Sequence, residues 1–294
     1  MHILITDSGV GGLSVCAYAE RLLRHHDPEE PVRLTYVNAS PENDFGYNSM
    51  GSRKEKSEYF DRFLRIVYDR YSPDSIYIAC NTLSVLMKDT PFVRNGEAPV
   101  RGIVETGVNL VLRDLARFPE SAVVIFGTVT TIEEQAYPDS LIEAGISEAR
   151  IISHACPGLA DTISEDRRGL KAGFEIGQHV RAAIEKLDSS TSSCLAYLGC
   201  THYGYRKELF KAAFADAGFQ VEILDPNEYA TDELFASLGV DFREDGRERR
   251  VDVEVVSRYR IPETALETLT YFLEGISLPT VHALRNFTHL PDLF

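Results

Sequence analysis

The apolar residues of this chain fall in short runs, most of them unbroken, separated by stretches with the 3.6-residue period of amphipathic helices. The runs are His2–Thr6, Arg33–Asn38, Ser75–Ala79, Val100–Val104, Ala122–Phe126, Arg150–His154, Cys194–Leu198 and Gln220–Leu224. A strand with one face in water alternates apolar and polar residues, whereas a strand covered on both faces is apolar throughout. Unbroken runs joined through helices therefore predict an α/β fold with mainly parallel sheets flanked by helices. The helical patterns lie at Gly12–His25, Ser52–Tyr71, Thr106–Phe118, Gly169–Lys186 and Tyr205–Ala217. A further segment, Asp252–Ile276, ends in a helical pattern.

The 294 residues suggest two domains. No Pro/Gly/Ser-rich linker divides them, and the polar loop Ser189–Ser193 and the charged loop Arg243–Arg250 read as surface connections. With 45 acidic and 30 basic residues, the formal charge is −15, which opposes binding to nucleic acid or to anionic lipid. No apolar run reaches the roughly 20 residues a bilayer span needs. The first residues read as a strand without a signal peptide's basic start and cleavage site, so a cytoplasmic location is expected. Five cysteines at long spacings, with no C-x-x-C, argue against a disulfide framework and against a Cys-rich zinc site.

Polar residues follow four of the runs directly. They are Asp7-Ser8-Gly9-Val10-Gly11-Gly12, Cys80-Asn81-Thr82, Gly127-Thr128 through Thr131, and Gly199-Cys200-Thr201-His202. Ligands of open α/β sheets bind beyond the carboxyl ends of strands, so these clusters should converge there. The glycine loop is not a dinucleotide fingerprint, because Ser14 stands where its last glycine belongs, and no P-loop is present. The clusters form two similar sets, with Cys80 and Cys200 in corresponding contexts, which hints at two halves of related topology.

Two thiols facing one ligand have a definite use. Inverting a stereocentre beside a carboxylate needs a base on one face and an acid on the other, and a thiol of pKa about 8.5 can serve as either. Helix N-termini after each cysteine would favour the thiolate. Asp7 fits a proton acceptor or an orienting group, and His202 a tuner of the second thiol. Ser8, Asn81, Thr82, Thr128, Thr131 and Thr201 offer donors for carboxylates. The plainer alternatives are buried filler for a lone cysteine, N-caps for the threonines and a turn cap for Asp7. Filler is the reading for Cys16, Cys156 and Cys194.

Taken together, Thr6–Val15, Ala79-Cys80-Asn81-Thr82, Gly127-Thr128 with Thr131, Ala155-Cys156-Pro157 and Leu198–Tyr203 resemble the glutamate racemases of the cofactor-independent aspartate/glutamate racemase superfamily. The motifs occur in the family's order over about four-fifths of the chain. The resemblance implies two pseudo-symmetric α/β domains, residues 1–102 with 226–294 and residues 103–225, with the active site in the cleft between them. It implies catalytic thiols at Cys80 and Cys200, assisted by Asp7 and His202. Substrate contacts are implied at Ser8, Ser40, Phe45, Gly46, Asn81, Thr82, Thr128, Thr131 and Thr201. It further implies a small amino-acid or carboxylate substrate, no metal and no pyridoxal cofactor, and a second copy of the chain as the expected protein partner. D-Glutamate would then serve peptidoglycan synthesis.

The sequence departs from the family after the second run. Where the family carries Asp-Thr-Ala-Arg-x-Pro-Tyr-Gly, this chain has Ala39-Ser40-Pro41-Glu42-Asn43-Asp44-Phe45-Gly46. Carboxylates at Glu42 and Asp44 would repel an anionic side chain if they faced it, and would be inert if solvated. Glu134 and Gln135 stand where the family often has Ser-Gly, before a retained Tyr137, and Gly204 replaces a proline. Gly158–Asp161 also departs from the family's hydrophobic run. Related racemisation of aspartate, another amino acid or a hydantoin, maleate isomerisation, and non-catalytic carboxylate binding therefore stay open.

Overall fold

Every described strand in the computed structural model is parallel to its neighbours. The structure describes residues 1–25, 31–42, 45–189, 191, 193–237 and 250–294. Asn43 and Asp44, His26, part of the Ser189–Ser193 loop and most of the Arg243–Arg250 loop lie outside the described residues. The described strands are β1 (His2–Asp7), β2 (Arg33–Asn38), β3 (Ser75–Ile78), β4 (Val100–Gly102), β5 (Ala122–Gly127), β6 (Ile151–Ala155), β7 (Ser193–Gly199), β8 (Gln220–Leu224), β9 (Asp252–Ser257) and β10 (Thr288–His289).

The chain forms two units, Met1–Ile103 with Ala230–Phe294, and Val104–Tyr229. The first holds a sheet of order β10-β9-β2-β1-β3-β4, the second a sheet of order β6-β5-β7-β8. The central strands bear out the unbroken apolar pattern: β5 is buried at every position, and β1 and β7 at every position but the first. In each sheet the unit's first strand lies between its second and third, and the fourth flanks the third. The two halves thus repeat one topology, as the paired cysteine contexts suggested.

Packing explains the local elements. The helix Arg53–Tyr71 starts at Ser52, whose hydroxyl accepts from the Glu55 N–H, and it buries Phe60, Phe63, Leu64 and Val67. Phe294 closes the same cluster, edge-on to Phe63 at 5.0 Å and to Tyr59 at 5.7 Å, so the C-terminal residues pack on their own unit. In the second unit Val123, Ile125, Leu195 and Leu224 build the core with Leu110, Val111 and Leu115 of the helix Ile103–Arg117.

Some predicted boundaries move. Val104 is helical, because the helix after β4 begins at Ile103. The helix predicted from Tyr205 starts at Lys207, after a short 3-10 turn over Tyr203–Arg206. The strands β9 and β10 were missed. In β9 acidic Asp252 and Glu254 break the apolar run, because this strand pairs on one side only with the two residues of β10 and its first half is less covered. The helix Glu263–Leu273 follows it.

Candidate functional site

Strand order already fixes where side chains can gather. Going from β1, one connection runs to β2 on one side and the next strand, β3, lies on the other. That reversal opens a crevice at the carboxyl ends of β1 and β3. Asp7 ends β1, Ser8 follows it, and Cys80 lies two residues past the end of β3.

There the Ser8 hydroxyl lies 3.0 Å from the Cys80 sulfur. Burial, and after it the charge of Asp7, push the Cys80 thiol up to about 12, while bonds from the Ser8 hydroxyl and from the Ser8 and Leu83 backbone N–H groups oppose that rise. Cys80 caps the six-residue helix Asn81–Leu86, so Asn81 and Thr82 sit buried in its first turn. Asp7 is held close by sequence: a Cβ on Gly12 would lie 2.8 Å from its Oδ2 and 3.0 Å from the Ala79 Cβ, so the glycine loop needs glycine at 12. The Tyr36 hydroxyl donates to the Gly9 carbonyl at 2.8 Å, anchoring the loop on β2.

The loop after β2 is tied to itself. The Ser40 N–H donates to Asn38 Oδ1 at 2.9 Å, and the Ser40 hydroxyl donates to the Glu42 carbonyl at 3.1 Å. Glu42 and Phe45 are exposed, and a Cβ on Gly46 would meet nothing within 4 Å.

The second unit repeats the reversal at β5 and β7, where Gly127 and Gly199 are register partners, so Thr128 and Cys200 follow adjacent strand ends. A Cβ at Gly199 would stand 2.8 Å from the Phe126 carbonyl, which explains glycine before the cysteine. Thr128 caps the helix Val129–Glu133, its hydroxyl accepting from the Thr131 N–H and lying 3.0 Å from the Thr131 hydroxyl. Cys200, Thr201 and His202 are buried. His202 Nδ1 is 3.9 Å from the Cys200 sulfur, and burial pulls this imidazole down to about 4, so it is neutral at pH 7. No α-helix starts at Cys200; the 3-10 turn intervenes, which removes the helix-terminus stabilisation expected for that thiol.

Three contributors escaped the sequence reading. The Asn227 side-chain amide donates to the Thr201 carbonyl at 2.9 Å, and its backbone N–H donates to Asp225 Oδ1 at 3.1 Å. Both follow β8, so the strand-end rule applied to the eighth run would have found them. Tyr47, directly after Gly46, is buried with its hydroxyl unpartnered among the described residues. Burial raises its phenol well above the usual value, and the charges of Tyr59 and Cys80 add to this. Tyr137 has a different place: its hydroxyl is 2.7 Å from that of Tyr197 in the core of the second unit.

No protein-family model matches the chain. It is 29% identical over 201 residues to a glutamate racemase of Chlorobium phaeobacteroides, a stretch covering 68% of this chain and 66% of that protein, just under two thirds of its length. It is 28% identical over 228 residues to a glutamate racemase of Aquifex pyrophilus, covering 78% and 80%. Its fold matches the crystal structure of glutamate racemase from Campylobacter jejuni with a TM-score of 0.72, at 18% identity over 93% of this chain and 98% of that one. The Aquifex pyrophilus enzyme matches with a TM-score of 0.69, at 23% identity over the whole of both chains.

Proposed function

We propose that this chain, similar in sequence to glutamate racemases over most of its length and sharing their fold, is a racemase that interconverts L- and D-glutamate by two-thiol proton transfer. The observation that carries the reading is the repeated topology, in which each unit sets one cysteine after its third strand, next to the polar end of its first. The mechanism requires the two sulfurs to flank one α-carbon.

In one direction the Cys80 thiolate takes the α-proton. The electron pair left on carbon spreads into the adjacent carboxylate, and the planar carbanion takes a proton from the Cys200 thiol on the opposite face. The reverse reaction exchanges the roles, and each turnover leaves the thiols with their protonation states swapped. Ser8 supports the Cys80 side as a donor that favours the thiolate. On the Cys200 side neutral His202, with Nδ1 3.9 Å from sulfur, can orient the thiol or donate a hydrogen bond to the thiolate. Asp7, whose negative charge opposes thiolate formation at Cys80, also suits an acceptor for the substrate ammonium. Asn81, Thr82, Thr128, Thr131 and Thr201 remain the proposed carboxylate donors, and the Tyr47 hydroxyl joins them.

Glu42 is exposed, so water screens its carboxylate, and this keeps glutamate ahead of substrates without a second negative charge. In this reading the D-glutamate supplies peptidoglycan synthesis. The test is incorporation of deuterium at the α-carbon in deuterated water, across glutamate, aspartate, other amino acids and a hydantoin, with optical rotation followed in parallel. Exchange with loss of optical activity is expected for glutamate. Clean carboxylate binding without exchange of any of them overturns the racemase reading.

A further inference from the structure

Cys156, which the sequence left as filler, meets two imidazoles. His154 and Cys156 are two residues apart on β6 and just beyond it, so their side chains leave on the same side. His179 comes from the helix Leu170–Ile184, which packs against β6. One ligand atom from each of the three lies within 4.8 Å of the others. His154 Nε2 and His179 Nδ1 are 3.1 Å apart. His154 and Cys156 are buried and His179 is half-buried. We propose that His154, Cys156 and His179 form a binding site for a borderline-soft divalent metal ion of the zinc class, separate in its residues from the two-thiol chemistry.

The donor set suits that ion. Two imidazole nitrogens and one thiolate with an open fourth position are a familiar zinc arrangement, with bonds of about 2.0 Å to nitrogen and 2.3 Å to sulfur. A tetrahedral ion with such bonds holds its ligands roughly 3.3–3.7 Å apart, so the trio closes on it through side-chain torsions. Glu175, one turn before His179 on the same helix, is the acidic group that acts on it. A bound cation converts a coordinating thiol to thiolate even where burial disfavours it.

Lys186 sets the terms of entry. Its Nζ lies 3.3 Å from His154 Nδ1 and 3.3 Å from the Ser153 carbonyl. Without metal the ammonium donates to Nδ1, and the His154 Nε2–H donates to His179 Nδ1. With metal, His154 Nε2 gives its lone pair, its proton moves to Nδ1, and Lys186 swings away toward Ser153 and water. The Cys156 proton leaves to solvent, so uptake releases one proton in all. The ion would staple β6 to its covering helix.

The test is titration of the chelator-treated full chain with cobalt(II), in a reductant without thiols, followed by absorption and thermal melting. A saturable single site with a thiolate-to-cobalt charge-transfer band and a raised Tm is expected. Cys156→Ala should abolish the band, and His179→Ala should weaken binding roughly tenfold or more. Cys80→Ala and Cys200→Ala should leave the band intact, because those thiols belong to other chemistry. Lys186→Met should tighten binding by removing the competing ammonium. His179 is half-buried, so its variant reports even where Cys156→Ala folds poorly. Absence of a saturable site overturns the proposal, as does a band lost in Cys80→Ala or Cys200→Ala and kept in Cys156→Ala.

Discussion

The Ser8 hydroxyl stands 3.0 Å from the Cys80 sulfur. A hydroxyl that donates to sulfur stabilises the thiolate and lowers the thiol's pKa, against the push from burial and Asp7. Ser8→Ala removes that donor, so the Cys80 pKa rises and less thiolate is present at any pH. kcat/KM should fall about tenfold, the worth of one charge-assisted bond, and equally in both directions because the two enantiomers have equal free energy. The rise of kcat/KM with pH that thiolate formation brings should move to higher pH in both directions. Initial-rate pH profiles from L- and from D-glutamate check this; identical profiles for variant and parent would remove Ser8 from the chemistry.

Asp7 acts on the same sulfur with the opposite sign. Asp7→Asn deletes a negative charge that disfavours the thiolate, so the Cys80 pKa should drop. Cys80 should then alkylate faster with iodoacetamide at pH 7.5, as read by peptide mass spectrometry. Turnover should nevertheless fall, because the proposed acceptor of the substrate ammonium is lost. Slower alkylation would show that Asp7 supports the thiolate instead.

His202 links the site to stability. Its folded pKa is about 4, lowered by burial from an ordinary value of 6.5. The unfolded chain therefore binds this proton more readily than the folded one. The contribution is fully present above pH 6.5 and is lost as pH falls from there toward 4, amounting to about 3 kcal/mol at the acid end. Urea denaturation at pH 7 and pH 5 should show a loss that His202→Gln reduces. A pH dependence unchanged in the variant contradicts this.

Gly204 sits where a side chain would not fit without a shift. A Cβ there would lie 2.7 Å from both Asp225 oxygens and 2.8 Å from Asn227 Nδ2. Asn227 holds the Thr201 carbonyl at 2.9 Å, so a shift at 204 reaches the residue after Cys200. Gly204→Ala should cost about 1–3 kcal/mol of stability and lower kcat. Shortening the neighbour in Gly204→Ala with Asp225→Ser should recover part of both, measured by thermal melting and racemisation rate. No recovery would point to the Asn227 contact rather than the Asp225 contact.

Tyr47 carries a buried hydroxyl without a partner among the described residues. Tyr47→Phe removes an unsatisfied group, so the empty protein should keep or slightly gain stability. If the hydroxyl meets substrate, KM for glutamate should rise several-fold while kcat changes less. Equal KM values in variant and parent would assign the hydroxyl no part in binding.

The sequence determined the fold class, because strands covered on both faces must be apolar throughout, and the runs that became the central strands β1, β5 and β7 are nearly so. It also marked Asp7, Cys80, Thr128 and Cys200 as strand-end groups, since parallel strands send their carboxyl ends to one edge. It did not show β9, whose Asp252 and Glu254 interrupt the apolar run. Nor did it show that Ser8 bonds the Cys80 sulfur, that Tyr47 is buried, or that Asn227 braces Thr201, because each is a contact between residues distant along the chain. The tertiary structure alone decided that Ser8 stands beside Cys80, that His202 is buried and that Cys156 has two histidines beside it. Burial and the approach of a few charged or polar atoms set those properties, and both arise only when the strands are ordered side by side.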